Sequence, residues 1–281
     1  MRGIIVGGGT FLGYWLKHKI ISSSSERPII IDLPRNGTRV YVSNKDRFYP
    51  LQEVNYQAIK EYNPNYILFN YYDLFDAVSL EINKSDNIIM DVTNKLLDIS
   101  QKLNSQIYVL THINRYPNND NSFKASFNNL NDLYLQYIEL ISKAKGLRTK
   151  IVLLPNLFGP REPQGGVVPI IKKKVINQEK LKLARTQRDF LYVHSVVEEI
   201  NKMFFEQSIK DNEVFYYTLT SGKLTSLNEL YEIISQAYNL QTEITFIDQA
   251  YSLKKANISN TKINEVIIPQ DYGKIFKYYS S

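Results

Sequence analysis

Arg2-Gly3-Ile4-Ile5-Val6-Gly7-Gly8-Gly9-Thr10-Phe11-Leu12-Gly13 passes from apolar to glycine and back to apolar within a dozen residues. Ile4 to Val6 has the make-up of a buried parallel strand, and Phe11 to Ile21 keeps apolar residues at helical spacing. Strand, glycine turn and helix in that order form the context in which a glycine fingerprint signals dinucleotide binding. Gly7 suits the tight turn, and Gly13 lets the helix lie close on the strand. The helix N-terminus offers N–H groups to a pyrophosphate. Thr10 takes the middle position of the G-x-x-G-x-x-G spacing. Its Cβ crowds the approach of a phosphate, while its hydroxyl can donate a hydrogen bond. Gly7, Thr10, Phe11, Leu12 and Gly13 are therefore candidate cofactor-binding residues, against the alternative of a turn that binds nothing.

Outward from this turn, Ser22 to Ser25 reads as a polar turn and Pro28 to Asp32 as a second buried strand. A carboxylate ending that strand, about twenty residues past the glycines, is placed to accept hydrogen bonds from an adenosine ribose. Asp32 thus favours NAD, and Arg35 keeps NADP open because a guanidinium there pairs with a 2′-phosphate. An ordinary strand-end turn residue is the other reading of Asp32. Arg39 to Val42 is a candidate third strand, followed by a helix from about Leu51 to Glu61 that Asn63-Pro64-Asn65 ends. Tyr66 to Asn70 reads as a fourth strand, and Asn70 at its end joins the cofactor-binding candidates. A helix at Ile88 to Leu103, a strand at Ile107 to Thr111, a helix at Phe127 to Lys145 and a strand at Lys150 to Pro155 complete the alternation. Such alternation predicts a parallel sheet covered on both faces, an α/β, doubly wound, Rossmann-type fold.

Beyond Pro155 come a basic helix at Val168 to Asn177 and a short strand at Lys180 to Ala184. Ser195 with Glu198, and Ser226 with Glu229, read as capping boxes opening two further helices. Val214 to Leu219 and Glu243 to Ile247 read as strands. These elements predict a smaller C-terminal substrate-binding lobe. The expected division is 1–156 as the dinucleotide-binding domain, with 187–210 returning to it, and 157–281 mainly as the smaller lobe.

The 281 residues carry 34 Lys and Arg against 28 Asp and Glu, a formal charge of +6. That balance suits an anionic partner, either a nucleotide-sugar or a nucleic acid. Lys172-Lys173-Lys174 is the tight basic cluster, and it reads as a solvated helix face. A mean hydropathy of −0.29, with no apolar run of membrane length, argues against a membrane span and for a cytoplasmic protein. Zero cysteines exclude disulfides, thiolate chemistry and cysteine-based zinc sites. His18, His112 and His194 share no metal-ligand spacing, so no metal is expected.

Three later segments join the glycine turn and Asp32. They are Leu154-Pro-Asn-Leu-Phe-Gly-Pro-Arg161, Gln187-Arg-Asp-Phe-Leu-Tyr-Val193 and Thr225-Ser-Leu-Asn-Glu-Leu230. In this order the four resemble the extended short-chain dehydrogenase/reductases, the nucleotide-sugar epimerase and dehydratase family. The resemblance spans almost the whole chain. It implies NAD as cofactor, with NADP possible in principle, and a nucleotide-sugar as substrate. It sets Asn156 against the substrate's diphosphate region and gives Arg188 a guanidinium fork for phosphate. A structural ion pair of Arg188 with Asp189 is the other reading. It also implies a homodimer through the helices Ile88 to Leu103 and Phe127 to Lys145.

The chemistry is where the chain departs from the family. The Tyr-x-x-x-Lys pair that moves the proton falls at about Phe127 and Asn131. Phenylalanine has no proton to exchange, and asparagine carries no charge. Tyr56 with Lys60 and Tyr251 with Lys255 fit the spacing but lie away from the fifth and sixth strands. Thr111 keeps the family's hydroxyl position, and His112 beside it has a pKa suited to proton transfer. These two are the catalytic candidates, with a packed strand-end histidine as the alternative for His112. Asp91 stands where the family has an asparagine that steadies the active-site helix. The expected function is an NAD(P)-binding nucleotide-sugar epimerase, dehydratase or reductase with altered catalytic residues. A non-catalytic nucleotide or nucleotide-sugar binding protein and an RNA-associated atypical member stay open.

Overall fold

Runs of apolar residues closed off by glycine or polar residues become the strands, and the amphipathic stretches between them become the helices. The computed structural model describes residues 1–24, 26–32, 43, 45–78, 82–117, 123–126, 129–205, 213–247 and 263–280. The chain begins β1 (Gly3–Val6), α1 (Phe11–Ser24), β2 (Ile29–Asp32), β3 (Arg47–Pro50) and α2 (Tyr56–Tyr62). It continues with β4 (Tyr66–Asn70), α3 (Tyr71–Val78), α4 (Ile82–Leu103) and β5 (Gln106–His112). An antiparallel pair, β6 (Asn114–Pro117) and β7 (Phe123–Ser126), precedes α5 (Asn129–Lys145) and β8 (Thr149–Leu154). Next come β9 (Asn156–Phe158), α6 (Val167–Ile176), β10 (Leu181–Ala184), β11 (Gln187–Arg188), β12 (Phe190–Tyr192) and α7 (Val193–Phe205). The last elements are β13 (Val214–Thr220), β14 (Thr225–Ser226), α8 (Leu227–Tyr238), β15 (Ile244–Ile247), β16 (Ile263–Ile267) and α9 (Tyr272–Ser280).

Among the described residues, eight strands form one sheet in the order β16-β13-β8-β5-β4-β1-β2-β3. Every pairing in it is parallel. The fold is thus the α/β, doubly wound arrangement that the alternation predicts. Successive residues of a strand face opposite sides, and two cores result. Ile4, Val6, Phe69 and Val109 pack with Leu96 of α4 and Ile138 of α5 on one side. Ile5, Leu68 and Leu110 pack with Leu16 of α1 and Ile200 of α7 on the other. A third core joins Phe158, Ile171, Leu183, Leu230 and Phe276, from the elements after β8. This later stretch also supplies β13 and β16 to the large sheet. The chain runs one way from β1 to β2 and the other way from β4 to β5. The crevice at the carboxyl ends of such strands is where this architecture takes its ligands.

Several boundaries differ from the sequence reading. Ser22 to Ser24 stay within α1 rather than forming a turn, because their hydroxyls donate to the carbonyls of Lys19 and Ile20 at 2.8–2.9 Å. The strand beside β2 is Arg47–Pro50, and the candidate strand at Arg39 to Val42 lies outside the described residues. The helix expected over Leu51 to Glu61 is split into a 3-10 turn at Leu51–Glu53 and α2. Asn55 starts α2 afresh by accepting the Ala58 N–H at 2.9 Å, and Asn63 ends it at φ 51°. Ser195 does not open α7, which begins at Val193. Val193, Val196 and Val197 are buried together, and that packing extends the helix back past the serine. At α8 the expected cap is present, with Ser226 Oγ accepting the Glu229 N–H at 3.0 Å.

Candidate functional site

The glycine turn is built as its sequence requires. Gly7 has φ +78°, and a Cβ there would lie 3.0 Å from the Asn70 carbonyl oxygen. At Gly13 a Cβ would come within 2.3 Å of the Gly7 carbonyl oxygen, so α1 crosses β1 closer than any side chain allows. Asp32 is buried at the end of β2, and its Oδ2 accepts the Gly9 N–H at 2.8 Å. One oxygen of the proposed ribose acceptor therefore holds the turn itself. Arg35 lies outside the described residues.

A polar cluster closes over the start of α1. Asp73 Oδ2 accepts the Leu12 N–H at 2.7 Å and lies 2.8 Å from the Thr10 hydroxyl. That hydroxyl is also 2.7 Å from the Gly7 carbonyl, so its one proton is shared between two acceptors. Asn70 Nδ2 donates to Thr10 Oγ1 at 2.9 Å and to Asp73 Oδ2 at 3.2 Å. The cluster brings together two of the sequence candidates, Thr10 and Asn70, with Asp73, which the sequence did not single out. The available signal was its place three residues past Asn70, in the first turn of a helix.

From this cluster a cavity of about 810 Å³ runs across the carboxyl ends of the strands. Its lining includes Thr10, Phe11, Asp73, His112, Asn156, Phe190 and the 161–168 segment. His112 ends β5. Burial pulls its pKa down to about 4, the nearby Arg188 charge adds to this, and a hydrogen bond with Asn156 works in the opposite direction. Asn156 is fixed by two donations to the Asp189 carbonyl, from its N–H at 3.2 Å and its Nδ2 at 3.1 Å. The Asp189 carboxylate is committed elsewhere, to Thr220 Oγ1 at 2.5 Å and to Ser221 N–H and Oγ at 3.0 and 2.6 Å. Thr111 is buried, and its Oγ1 meets no hydrogen-bond partner among the described residues. The cavity wall at this strand end is His112 rather than Thr111.

Further residues of the cavity escaped the sequence reading. The Tyr72 ring lies 5.4 Å from that of His112, and its hydroxyl is engaged twice, donating to the Pro155 carbonyl at 3.0 Å and accepting the Leu157 N–H at 2.8 Å. Glu162 follows directly on the Asn156–Arg161 segment. Burial pushes its carboxyl up to about 8, against a weak opposing contact from the Gly159 N–H at 3.4 Å. Phe127 lies outside the described residues, and Asn131 falls in the first turn of α5. Asp91 pairs with Lys95 at 2.7 Å on the outer side of α4, and α4 is tied to α5 by a hydrogen bond from the Tyr137 hydroxyl to Asn94. Tyr56 lies on α2 beneath the Lys95 ammonium, and Tyr251 with Lys255 lies outside the described residues.

No family model matches the chain. CDP-abequose synthase of Salmonella muenchen is 32% identical over 98 residues, 33% of this chain and 32% of that protein. The chain thus spans about a third of the length of the curated relative it matches. UDP-glucose 4-epimerase of Thermus thermophilus, in complex with NAD, superposes with a TM-score of 0.66 at 14% identity, over 96% of this chain and 91% of that one. L-threonine 3-dehydrogenase of Trypanosoma brucei superposes with a TM-score of 0.73 at 14% identity, over 99% and 95%. The chain has the Rossmann-type fold of these epimerases and dehydrogenases along nearly its whole length. No helix among the described residues is long and apolar enough to cross a membrane.

Proposed function

We propose that this chain is an extended short-chain dehydrogenase/reductase that holds NAD or NADP and a nucleotide-sugar in one crevice, with altered proton-transfer residues. The observation that carries the reading is one cavity lined by Thr10 and Phe11 at the start of α1 together with His112 and Asn156, at the point where the strand order reverses. The nicotinamide supplies the hydride chemistry when bound, and the chain supplies orientation and protons. Gly7 and Gly13 build the tight turn and the close helix crossing of a dinucleotide fingerprint, and the curated relative and the NAD-bound neighbour support the ligand class. With its pKa at about 4, His112 is neutral at neutral pH and a weaker base than the ordinary imidazole expected from sequence. It serves as a hydrogen-bond acceptor for a substrate hydroxyl. Glu162 is mostly protonated there and donates a proton. Both groups line the cavity with pKa values driven in opposite directions, which makes Glu162 the proton donor of the reading. Thr111 lies beside them, and Arg188 adds positive charge near the diphosphate region.

Purified protein with NAD or NADP and a panel of UDP-, CDP- and dTDP-sugars should form product. His112→Ala should slow turnover by about 10²- to 10⁴-fold, the usual contribution of a placed acid or base. Turnover that ignores this change removes the assigned role. A second reading, a binding protein without turnover, is favoured by the loss of the Tyr-x-x-x-Lys pair at Phe127 and Asn131. It calls for ligand-induced thermal stabilisation with no product. Absence of both product and stabilisation across the panel overturns the two readings together.

A further inference from the structure

Two helices begin side by side at the reversal point, because β1 and β4 are neighbours with Val6 opposite Phe69. α1 starts four residues beyond β1 and α3 starts directly after β4, so both N-termini point at one spot. Each brings the positive end of a helix dipole to it. A pyrophosphate belongs at the N-terminus that follows a glycine fingerprint. In this chain a carboxylate is already there. Asp73 sits in the first turn of α3, and its Oδ2 takes the Leu12 N–H at 2.7 Å, the Thr10 hydroxyl at 2.8 Å and Asn70 Nδ2 at 3.2 Å. Three donors, from α1, the turn and the end of β4, converge on one oxygen, as they would on a phosphate oxygen.

We propose that Asp73 is an internal anion seated in the diphosphate position of the crevice, so that a dinucleotide enters only by displacing its carboxylate from α1. The inference rests on the dinucleotide reading above and adds a determinant of affinity to it. The side-chain donors beside the Leu12 N–H are already engaged. The Thr10 proton is already divided between Asp73 and Gly7, and Asn70 Nδ2 is directed at Thr10 and Asp73. A diphosphate arriving beside Asp73 meets a like charge within a few ångströms, in partly buried surroundings where water screens it poorly. Thr10 serves the same arrangement. Glycine at this position could not offer the hydroxyl that Asp73 binds.

The test uses the full chain as wild type, Asp73→Ala and Asp73→Asn, titrated in a calorimeter with NAD, NADP and inorganic pyrophosphate. Melting temperatures are taken with and without each ligand. Asp73→Ala should bind NAD or NADP at least about tenfold more tightly than wild type, since the like charge and the competing acceptor are both gone. Pyrophosphate alone should raise its melting temperature and leave that of the wild type unmoved. Asp73→Asn keeps an acceptor for the Leu12 N–H without the charge and should show a smaller gain. It decides the matter if the alanine variant does not fold. A gain with pyrophosphate but not with either dinucleotide supports the internal anion and removes the dinucleotide reading. Equal affinities in all three proteins, or variants that lose stability and gain no anion, reduce Asp73 to a helix cap and overturn the proposal.

Discussion

Glu162 and His112 make opposite demands on pH, and the difference separates them experimentally. Glu162 has its folded pKa raised from 4.5 to about 8, so the folded protein holds a proton that the unfolded chain releases from about pH 4.5 upward. Its contribution to stability is full below 4.5 and is lost as pH rises toward 8. His112 has its folded pKa lowered from 6.5 to about 4, so its contribution is full above 6.5 and is lost as pH falls toward 4. Denaturant titrations should therefore show Glu162→Gln losing less stability than wild type between pH 6.5 and 8. His112→Gln should lose less between pH 6.5 and 4, and parallel curves for wild type and either variant would contradict the assigned shifts. His112 was legible because it adjoins Thr111 at the end of an obvious strand. Asp73 was not, since its meaning comes from Leu12, 61 residues earlier in the chain. Glu162 is likewise shaped by burial that no local pattern announces.

At the level of elements, central strands could be read and edge strands could not. β1, β2, β4 and β8 are buried at every residue and stand out as apolar runs. β3 and β16 bound the sheet, are largely exposed or half-exposed, and mix polar with apolar residues. Pro50 in β3 is tolerated because an edge strand has a side without a ladder. The β1–α1 crossover was legible from its glycines, and it sets a steep penalty. Gly13→Ala places a methyl group 2.3 Å from the Gly7 carbonyl oxygen, and either strand or helix must move. We expect a loss of about 1–3 kcal/mol, measured as a lowered denaturant midpoint with unchanged slope. Asp189 joins β12 to the end of β13 through Thr220 and Ser221 while its carbonyl holds Asn156. Asp189→Ala leaves buried donors unpaired and should cost roughly 3 kcal/mol. Stability equal to wild type would show that these contacts are replaced by water.

Across the whole molecule the fold and the position of the crevice follow from the alternation of elements, while the choice of anion depends on how charge is distributed in space. The net charge of +6 admits an RNA-associated protein on composition alone. The arrangement of the lysines argues against it. Lys19, Lys143, Lys145, Lys174, Lys180 and Lys202 each face a carboxylate within 3 Å, four of the six spread over α1, α5 and α7 and two at or just beyond the end of α6. Within the Lys172–Lys174 cluster on α6, Lys172 lies over the Tyr238 ring and Lys174 pairs with Glu179. A nucleic-acid surface needs several cations aligned along one track, because affinity scales with the number of phosphates neutralised together. Lysines paired in this way give a weak encounter that salt abolishes. Single-stranded RNA should therefore be retained in mobility-shift experiments at about 50 mM salt and released by about 200 mM. Lys173→Glu should weaken the low-salt binding by less than about threefold, one phosphate contact at most. Retention at the higher salt, or loss of binding through that one lysine, would place an RNA track on α6 and restore the RNA reading over the nucleotide-sugar one.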